Sequence, residues 1–486
     1  MMNATKNRKS LLVKCALAGA AILLLLWILM ANDRYTPLKS SLTDNNDKVT
    51  VEKEQTETAT AASEHCATPF PGRPLVQYAI MIDAGSSGSR VHVYRFNYCK
   101  EEPELEDEVF KMLEPGLSSY ADDPQAAAGS LDPLMKLAVE SVPIHLQHCT
   151  PIAVKATAGL RLLGKSKSDK ILQAVRHRLE TEYPFPIAGP NGVEIMDGKD
   201  EGVYAWITVN YLLGRLKPSQ RGNSAAIFDL GGASTQIVFE PTFESPDATM
   251  EEGDHKYRLE YGHRQYELYQ HSYLNYGLNE ARKHIKKAMI TRWKDEGLPT
   301  DRVYHPCLPN NHTESVEWMD GNRTVSVELV GTGAGHTECR AVIERVFNKE
   351  KPCTLKPCAF DGIYQPPLVD TFKDQDLYIF SYFYDLTQPL GMPAEFSVKD
   401  LGTVAQRLCD GPADHFRHIP GAIATLADTP DYCLDLTYAY SLLRIGYEMP
   451  VERLVRTAKK INDAETGWCL GASIHMIDEV KVCKID

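Results

Sequence analysis

Two stretches of the 486-residue chain carry an acid at the mouth of a glycine- and serine-rich turn. Tyr78 to Phe96 reads YAIMIDAGSSGSRVHVYRF: an apolar run, Asp83, then Gly85-Ser86-Ser87-Gly88-Ser89, then Val91, Val93, Tyr94 and Phe96 interleaved with polar residues. Ala225 to Glu240 reads AAIFDLGGASTQIVFE and repeats the order, with Asp229 before Gly231-Gly232-Ala233-Ser234-Thr235. Each pattern predicts strand, tight turn, strand. Such a turn can aim several backbone N–H groups and hydroxyls at one spot, which suits a phosphate. The aspartate would repel a phosphate unless a cation sat between them. Two facing loops, each with one carboxylate, can grip a polyphosphate–metal complex from both sides. Glycine- and serine-rich turns also make ordinary hairpins, but the shared Asp-x-Gly start points to an internal duplication.

A hydrolase of this kind needs a group to take a proton from water. Glu201 lies between the two loops in sequence, in Asp197-Gly198-Lys199-Asp200-Glu201-Gly202, ahead of a run with helical spacing, Val203 to Leu213. At its simplest it is an acid favoured by a helix dipole; in the functional reading it is the general base. Thr150 to Thr157 predicts a strand, which runs into Ala158-Gly159-Leu160-Arg161, and a helix follows from about Ser168 to Glu180. Gly159 to Ser166, GLRLLGKS, matches the P-loop pattern of a nucleotide triphosphatase. Its intervening Leu-Arg-Leu-Leu is too bulky for a phosphate cradle. The competing readings are a third phosphate contact from Thr157-Ala158-Gly159 and a plain strand–helix turn. The aromatic cluster Ser381-Tyr382-Phe383-Tyr384-Asp385, with Tyr447 and Trp468, is either core or a stacking surface for a nucleobase.

The net charge of −13 argues against a nucleic-acid partner. Leu11 to Ala31, broken only by Lys14, reads as a transmembrane signal anchor (residues 11–31) after a basic cytosolic tail (residues 1–10). The polar stretch that follows reads as a luminal stem (residues 32–74). Beyond Cys15 there are eleven cysteines, which in an oxidising lumen predict five disulfides and one odd residue. Cys66, beside the stem, is the expected odd one, free or joining two copies into a homodimer. Asn311 and Asn322 open Asn-x-Thr glycosylation acceptors in a polar insertion.

The ordered blocks DAGSSGSR, ATAGLR, DEGVYAWITVNY, DLGGASTQ and GWCLGA resemble the signature of the apyrase family, the nucleoside di- and triphosphate hydrolases. The resemblance spans Tyr78 to Cys483. Together with the anchor, the stem and runs such as MLEPGLSS and IFSYFYD, it is strongest toward the fungal Golgi guanosine diphosphatase branch. It implies two α/β domains of the actin, Hsp70 and sugar-kinase (ribonuclease H-like) type, residues 75–197 with 459–486 and residues 198–458, with the active site in the cleft. It implies that Asp83 and Asp229 hold a divalent metal (Ca²⁺, Mn²⁺ or Mg²⁺) through water. Ser86, Ser87, Gly88, Thr157, Gly231, Gly232 and Ala233 would bind the phosphates, and Glu201 would be the base. Ser234 and Gln236 would position the attacking water, and Tyr384 and Tyr447 would stack the base. Family bridges map onto Cys307–Cys339 and Cys409–Cys433; Cys99–Cys149, Cys353–Cys358 and Cys469–Cys483 complete the expected set. Gly88 stands where triphosphate-hydrolysing surface members carry histidine, and no second apolar span closes the sequence. Both features lead to the expectation of a luminal nucleoside diphosphatase acting on GDP and UDP, anchored as a single-pass type II protein of the Golgi membrane.

Overall fold

The computed structural model describes residues 63–216, 223–245, 249–262 and 264–480. The expected anchor, most of the stem and Cys483 lie outside them, and among the described residues no helix is long and apolar enough to cross a membrane.

The first predicted hairpin forms β1 (Val76–Ala84) and β2 (Ser89–Asn97), with Asp83 opposite Arg90. The antiparallel β3 (Glu104–Leu113) covers the far side of β2. β4 (Ile152–Ala156) runs parallel to β1, and β5 (Val193–Ile195) parallel to β4, giving the order β3-β2-β1-β4-β5. The second predicted hairpin forms β6 (Ala226–Leu230) and β7 (Ser234–Phe239). β8 (Lys256–Tyr261) and β9 (Arg264–Leu274) follow it. β10 (Arg302–His305), β11 (Thr313–Asp320) and β12 (Arg323–Gly331) make a separate three-stranded sheet. β13 (Leu377–Ser381), β14 (Glu395–Ser397) and β15 (Leu454–Thr457) complete the larger sheet, ordered β14-β15-β13-β6-β7-β9-β8.

The run β9-β7-β6-β13-β15 repeats β3-β2-β1-β4-β5 strand for strand, with the same parallel and antiparallel pairings. Asp83 and Asp229 are each the last residue but one of the equivalent strands β1 and β6. The duplication read from the two hairpins therefore extends to whole sheets, in the α/β arrangement of actin and Hsp70.

Two helices lie between the sheets. Gly198–Leu212 packs on β6, β7 and β9, and Cys469–Glu479 packs on β1 and β2. Ala79 and Met81 of the first sheet, Val203 and Trp206 of one helix, Leu470 of the other and Ile227 of the second sheet share one apolar cluster. The run Val203 to Leu212 is apolar nearly all round, as a helix buried on every face must be. Its buried Asn210 is satisfied: Nδ2 donates to the carbonyls of Trp206 and Ala225, and Oδ1 accepts from the Ala225 N–H. The helices cross where Gly471 meets Tyr204; a β-carbon on Gly471 would collide with the Tyr204 carbonyl oxygen.

The P-loop reading is corrected. Ala158–Leu163 is already helical, Gly164 turns at φ +80°, and Lys165–Glu182 is the second helix. Leu160 is buried among β-sheet residues, and Lys165 pairs with Asp169 at 2.9 Å on the surface. Four apolar-rich residues before Gly164 pack as a helix and present no cradle.

Cys307–Cys339, Cys409–Cys433 and Cys353–Cys358 are bonded. The other expected pairings are corrected. Cys66 is bonded to Cys99, so its thiol is not available to join two copies, and Cys149 is disulfide-bonded in another pair. The odd residue is Cys469, free and buried at the start of a helix in the central core, so the pairing with Cys483 is not made. The end of the stem folds back beside β2, where the Phe70 N–H donates to the Tyr98 carbonyl at 2.7 Å and sets Cys66 beside Cys99. Asn311 and Asn322 are exposed at the base and tip of the β11–β12 hairpin.

Candidate active site

The turns after β1 and β6 meet at a cavity of about 290 Å³. The second turn is held from behind. The N–H groups at the start of the helix Leu278–Asp295 take its carbonyls, Leu278 to Gly231 at 2.8 Å and Asn279 to Gly232 at 2.9 Å, while Asn275 takes Ala233 at 2.8 Å. The Gly231 N–H closes the turn on Ser234 at 3.0 Å, and Gly232 and Ala233 line the cavity. Gly277 permits this close backing: a β-carbon there would collide with the nitrogens of Ala233 and Ser234. Asn275 to Asn279 was not singled out in the sequence, although Asn-Tyr-Gly-Leu-Asn carries a turn signal before a helix.

The first turn is held likewise. The Thr157 N–H donates to the Ala84 carbonyl at 3.3 Å, and a β-carbon on Gly159 would stand 2.8 Å from Ser86 Cα. Ser86, Ser87 and Thr157 line the cavity, as do Gly231, Gly232, Ala233 and Ser234. Gly88 lies in the same turn but is not among the residues lining the cavity. A β-carbon on it would stand 2.7 Å from the Leu113 carbonyl oxygen and 2.8 Å from the Met112 methyl, so its smallness serves packing against β3.

Asp83, partly buried, and Asp229, buried, both reach the cavity. Asp83 Oδ2 accepts from Arg90 Nη1 at 3.0 Å, and burial pushes its carboxyl above the usual range against the pull of Arg90. Burial raises Asp229 to about 6, opposed by a hydrogen bond from Ser381 and reinforced by the charge of Asp83. Each keeps one buried oxygen, Oδ1, without a protein donor. An unpartnered buried carboxylate oxygen is costly, and two facing one another form a natural seat for a cation. Among the described residues no group of three His, Cys, Asp or Glu side chains stands close enough to ligate a metal directly. The donor set therefore fits a hard, hydrated divalent ion held through its waters.

Glu201 sits in the first turn of its helix, 8% exposed, and pairs with Arg161. Burial raises its carboxyl to about 8; Arg161 pulls it down, and the charges of Asp229 and Asp83 push it up. Two glycines flank it for a reason. A β-carbon on Gly198 would stand 2.5 Å from Arg161 Nη1, and one on Gly202 would stand 2.9 Å from Val238. The helix therefore lies tight on β7 with Arg161 held against its start. Gln236 Nε2 donates to Ser234 Oγ at 2.7 Å and to Ser272 Oγ at 3.0 Å. Ser234 lines the cavity, whereas Gln236 is buried behind it and reaches the site through that hydroxyl.

Tyr384 lines the cavity, but Tyr447 does not. Tyr447 is fully buried among Phe228, Tyr273 and Phe360, with its hydroxyl 3.1 Å from Thr235 Oγ1. Tyr382 is the second tyrosine on the cavity wall. Sequence reasoning also missed Ser381, which turns the end of β13 at φ +57°, ψ −125°, a backbone strained for a non-glycine residue, and hydrogen-bonds Asp229. Arg90 and Arg161 were visible only as letters inside the motifs.

The chain is 48% identical to a protein of Aspergillus fumigatus named probable guanosine-diphosphatase, over 98% of this chain and 97% of that one. It is 45% identical to the guanosine-diphosphatase of Saccharomyces cerevisiae, over 94% and 89%. Its fold matches the crystal structure of a nucleoside triphosphate hydrolase from Neospora caninum with TM-score 0.59 and 16% identity, over 83% of this chain and 93% of that one. Residues 74–485 match the model of the GDA1/CD39 (nucleoside phosphatase) family, and the chain belongs to that family.

Proposed function

We propose that the protein hydrolyses nucleoside diphosphates, GDP foremost and UDP next, to the monophosphate and phosphate. The single observation that carries the reading is the convergence of Asp83, Asp229 and Glu201 on one cavity walled by the two glycine turns. The names of the fungal relatives support GDP as substrate.

Asp83 and Asp229 would hold a divalent cation through its waters, and that cation supplies positive charge against the terminal phosphoryl oxygens. The N–H groups of Gly232 and Ala233 and the hydroxyls of Ser86 and Ser87 donate to the same oxygens, whose charge grows in the transition state. Glu201, as carboxylate, accepts a proton from the attacking water. Ser234, fixed by Gln236, orients that water in line with the leaving oxygen. The water oxygen bonds to phosphorus as the phosphoanhydride bond breaks. Arg161 keeps the Glu201 carboxylate aimed and favours its charged form. Tyr384 offers a face to the base.

In this reading the chain forms two domains, residues 75–197 with 459–486 and residues 198–458, that close on the substrate. The N-terminal apolar stretch is proposed to anchor the enzyme as a type II protein of the Golgi membrane. There, removal of GDP relieves glycosyl transfer and yields GMP for nucleotide-sugar antiport.

The test is phosphate release by the full chain from GDP, UDP, ADP and GTP, each with Ca²⁺, Mn²⁺, Mg²⁺ or EDTA. Release from GDP and UDP that EDTA abolishes is expected. Preference for GTP would overturn the diphosphatase reading while leaving the family intact.

A further inference from the structure

Several charged residues on the cavity wall take no part in the chemistry above, Asp385 and Lys459 among them. Asp385 follows Tyr384 in the short helix Tyr382–Thr387, and Lys459 follows β15; both line the cavity and both are exposed to it. Among the described residues neither makes an ion pair; burial raises the Asp385 carboxyl, and the charges of Lys459 and, less, Arg90 oppose that rise. They therefore stand near one another with their hydrogen-bonding groups uncommitted. A carboxylate in a nucleotide cavity repels phosphate unless a cation intervenes, and the cation seat belongs to Asp83 and Asp229. Asp385 must instead meet donors at the nucleoside end. Its neighbour Tyr384 offers the stacking face there, so a base lying on that ring brings its edge toward Asp385.

We propose that Asp385 and Lys459 read the base, Asp385 accepting from the ring N–H and Lys459 donating to the adjacent carbonyl of guanine or uracil. This rests on the nucleoside diphosphatase reading and deepens it to base selection. Guanine presents N1–H and N2–H₂ donors beside the O6 acceptor, and uracil presents N3–H beside O4. Adenine and cytosine present the reverse, a bare ring nitrogen beside an amino group. An acceptor next to a cationic donor matches the first pair and opposes the second, and a built polar site rejects the mismatched partner strongly. Glu465 also faces Lys459. It lines the same cavity, but Asp385 is the acid adjacent in sequence to Tyr384 and is the one assigned to the stacked base.

The experiment measures kcat/KM of the full chain for GDP, UDP, ADP and CDP, before and after Asp385→Asn, with one cation throughout. An asparagine amide can turn either its oxygen or its NH₂ to the base, so discrimination should relax. The GDP-to-ADP and UDP-to-CDP ratios should each fall roughly 10- to 100-fold, the worth of a charge-assisted hydrogen bond. The ADP rate should not fall and the melting temperature should hold, which separates the effect from misfolding. Lys459→Met should lower GDP and UDP turnover and spare ADP and CDP. Unchanged ratios would overturn the proposal. An equal fall for all four nucleotides would also overturn it, because Asp385 would then be holding the ribose hydroxyls. If the unmodified chain releases no phosphate from GDP, it is the diphosphatase reading that fails instead.

Discussion

A β-carbon on Gly232 would collide with Oγ of Ser86, so the two phosphate turns, one from each sheet, touch across the cavity. The second turn is equally tight at its back, where Gly277 admits no β-carbon beside the nitrogens of Ala233 and Ser234. The two glycines should respond differently. In Gly232→Ala the Ser86 hydroxyl can swing aside, so phosphate release should fall about tenfold with the melting temperature kept. In Gly277→Ala only backbone can yield. Turnover should fall about 100-fold or more, with about 1–3 kcal/mol of stability lost. Steady-state rates and thermal melts on both variants check the order.

Glu201→Gln should fold normally and lose about 100-fold or more in turnover, the usual scale for removing a general base. Near-normal turnover would remove Glu201 from that role. Arg161 lowers the Glu201 pKa. Arg161→Leu should therefore move the acid limb of the kcat profile to higher pH while leaving activity at alkaline pH largely intact. A pH profile of both variants separates proton transfer from mere loss of packing.

Glu201 and Asp229 rise from their ordinary values of 4.5 and 3.8 to about 8 and about 6 on burial, with the charges of Asp229 and Asp83 adding for Glu201 and that of Asp83 for Asp229. An acid whose pKa is higher in the folded state binds more protons there than in the unfolded chain. Its contribution to stability is therefore present below the unfolded value and is lost as pH rises through the folded one. With EDTA present, the melting temperature should decline from about pH 4.5 to about pH 8 relative to the same protein with saturating cation. The cation neutralises the acids and binds only the folded state. Parallel melting curves with and without cation would contradict the seat assigned to Asp83 and Asp229.

Tyr384→Ala should raise KM for every nucleotide by roughly tenfold, as expected when an aromatic stacking face is lost. Tyr447→Phe should leave KM unchanged and cost about 1 kcal/mol for the lost hydroxyl contact with Thr235. A raised KM in the second variant would restore Tyr447 to the base site.

The loops, their two acids and the duplication were legible in the chain because they are local. An apolar run, an aspartate and a glycine turn define a strand-turn-strand within about 19 residues, and the same order recurs at Asp229. Glu201 was legible as an acid at a helix start, and its raised pKa was not, since that depends on burial against Arg161, Asp83 and Asp229 from three distant segments. The differences between the sequence reading and the structure have the same origin. Gly88 resembled a phosphate contact because nothing nearby in sequence showed β3 lying over it. Tyr447 resembled a stacking residue because its aromatic neighbours come from β6, β9 and the stretch around Phe360. Cys66 looked unpaired because the fold-back of residues 63–74 along β2 is a tertiary event. Pattern and turn chemistry act over a few residues and are written in the chain; burial, charge coupling and cysteine pairing are set by which distant surfaces meet, and only packing decides that.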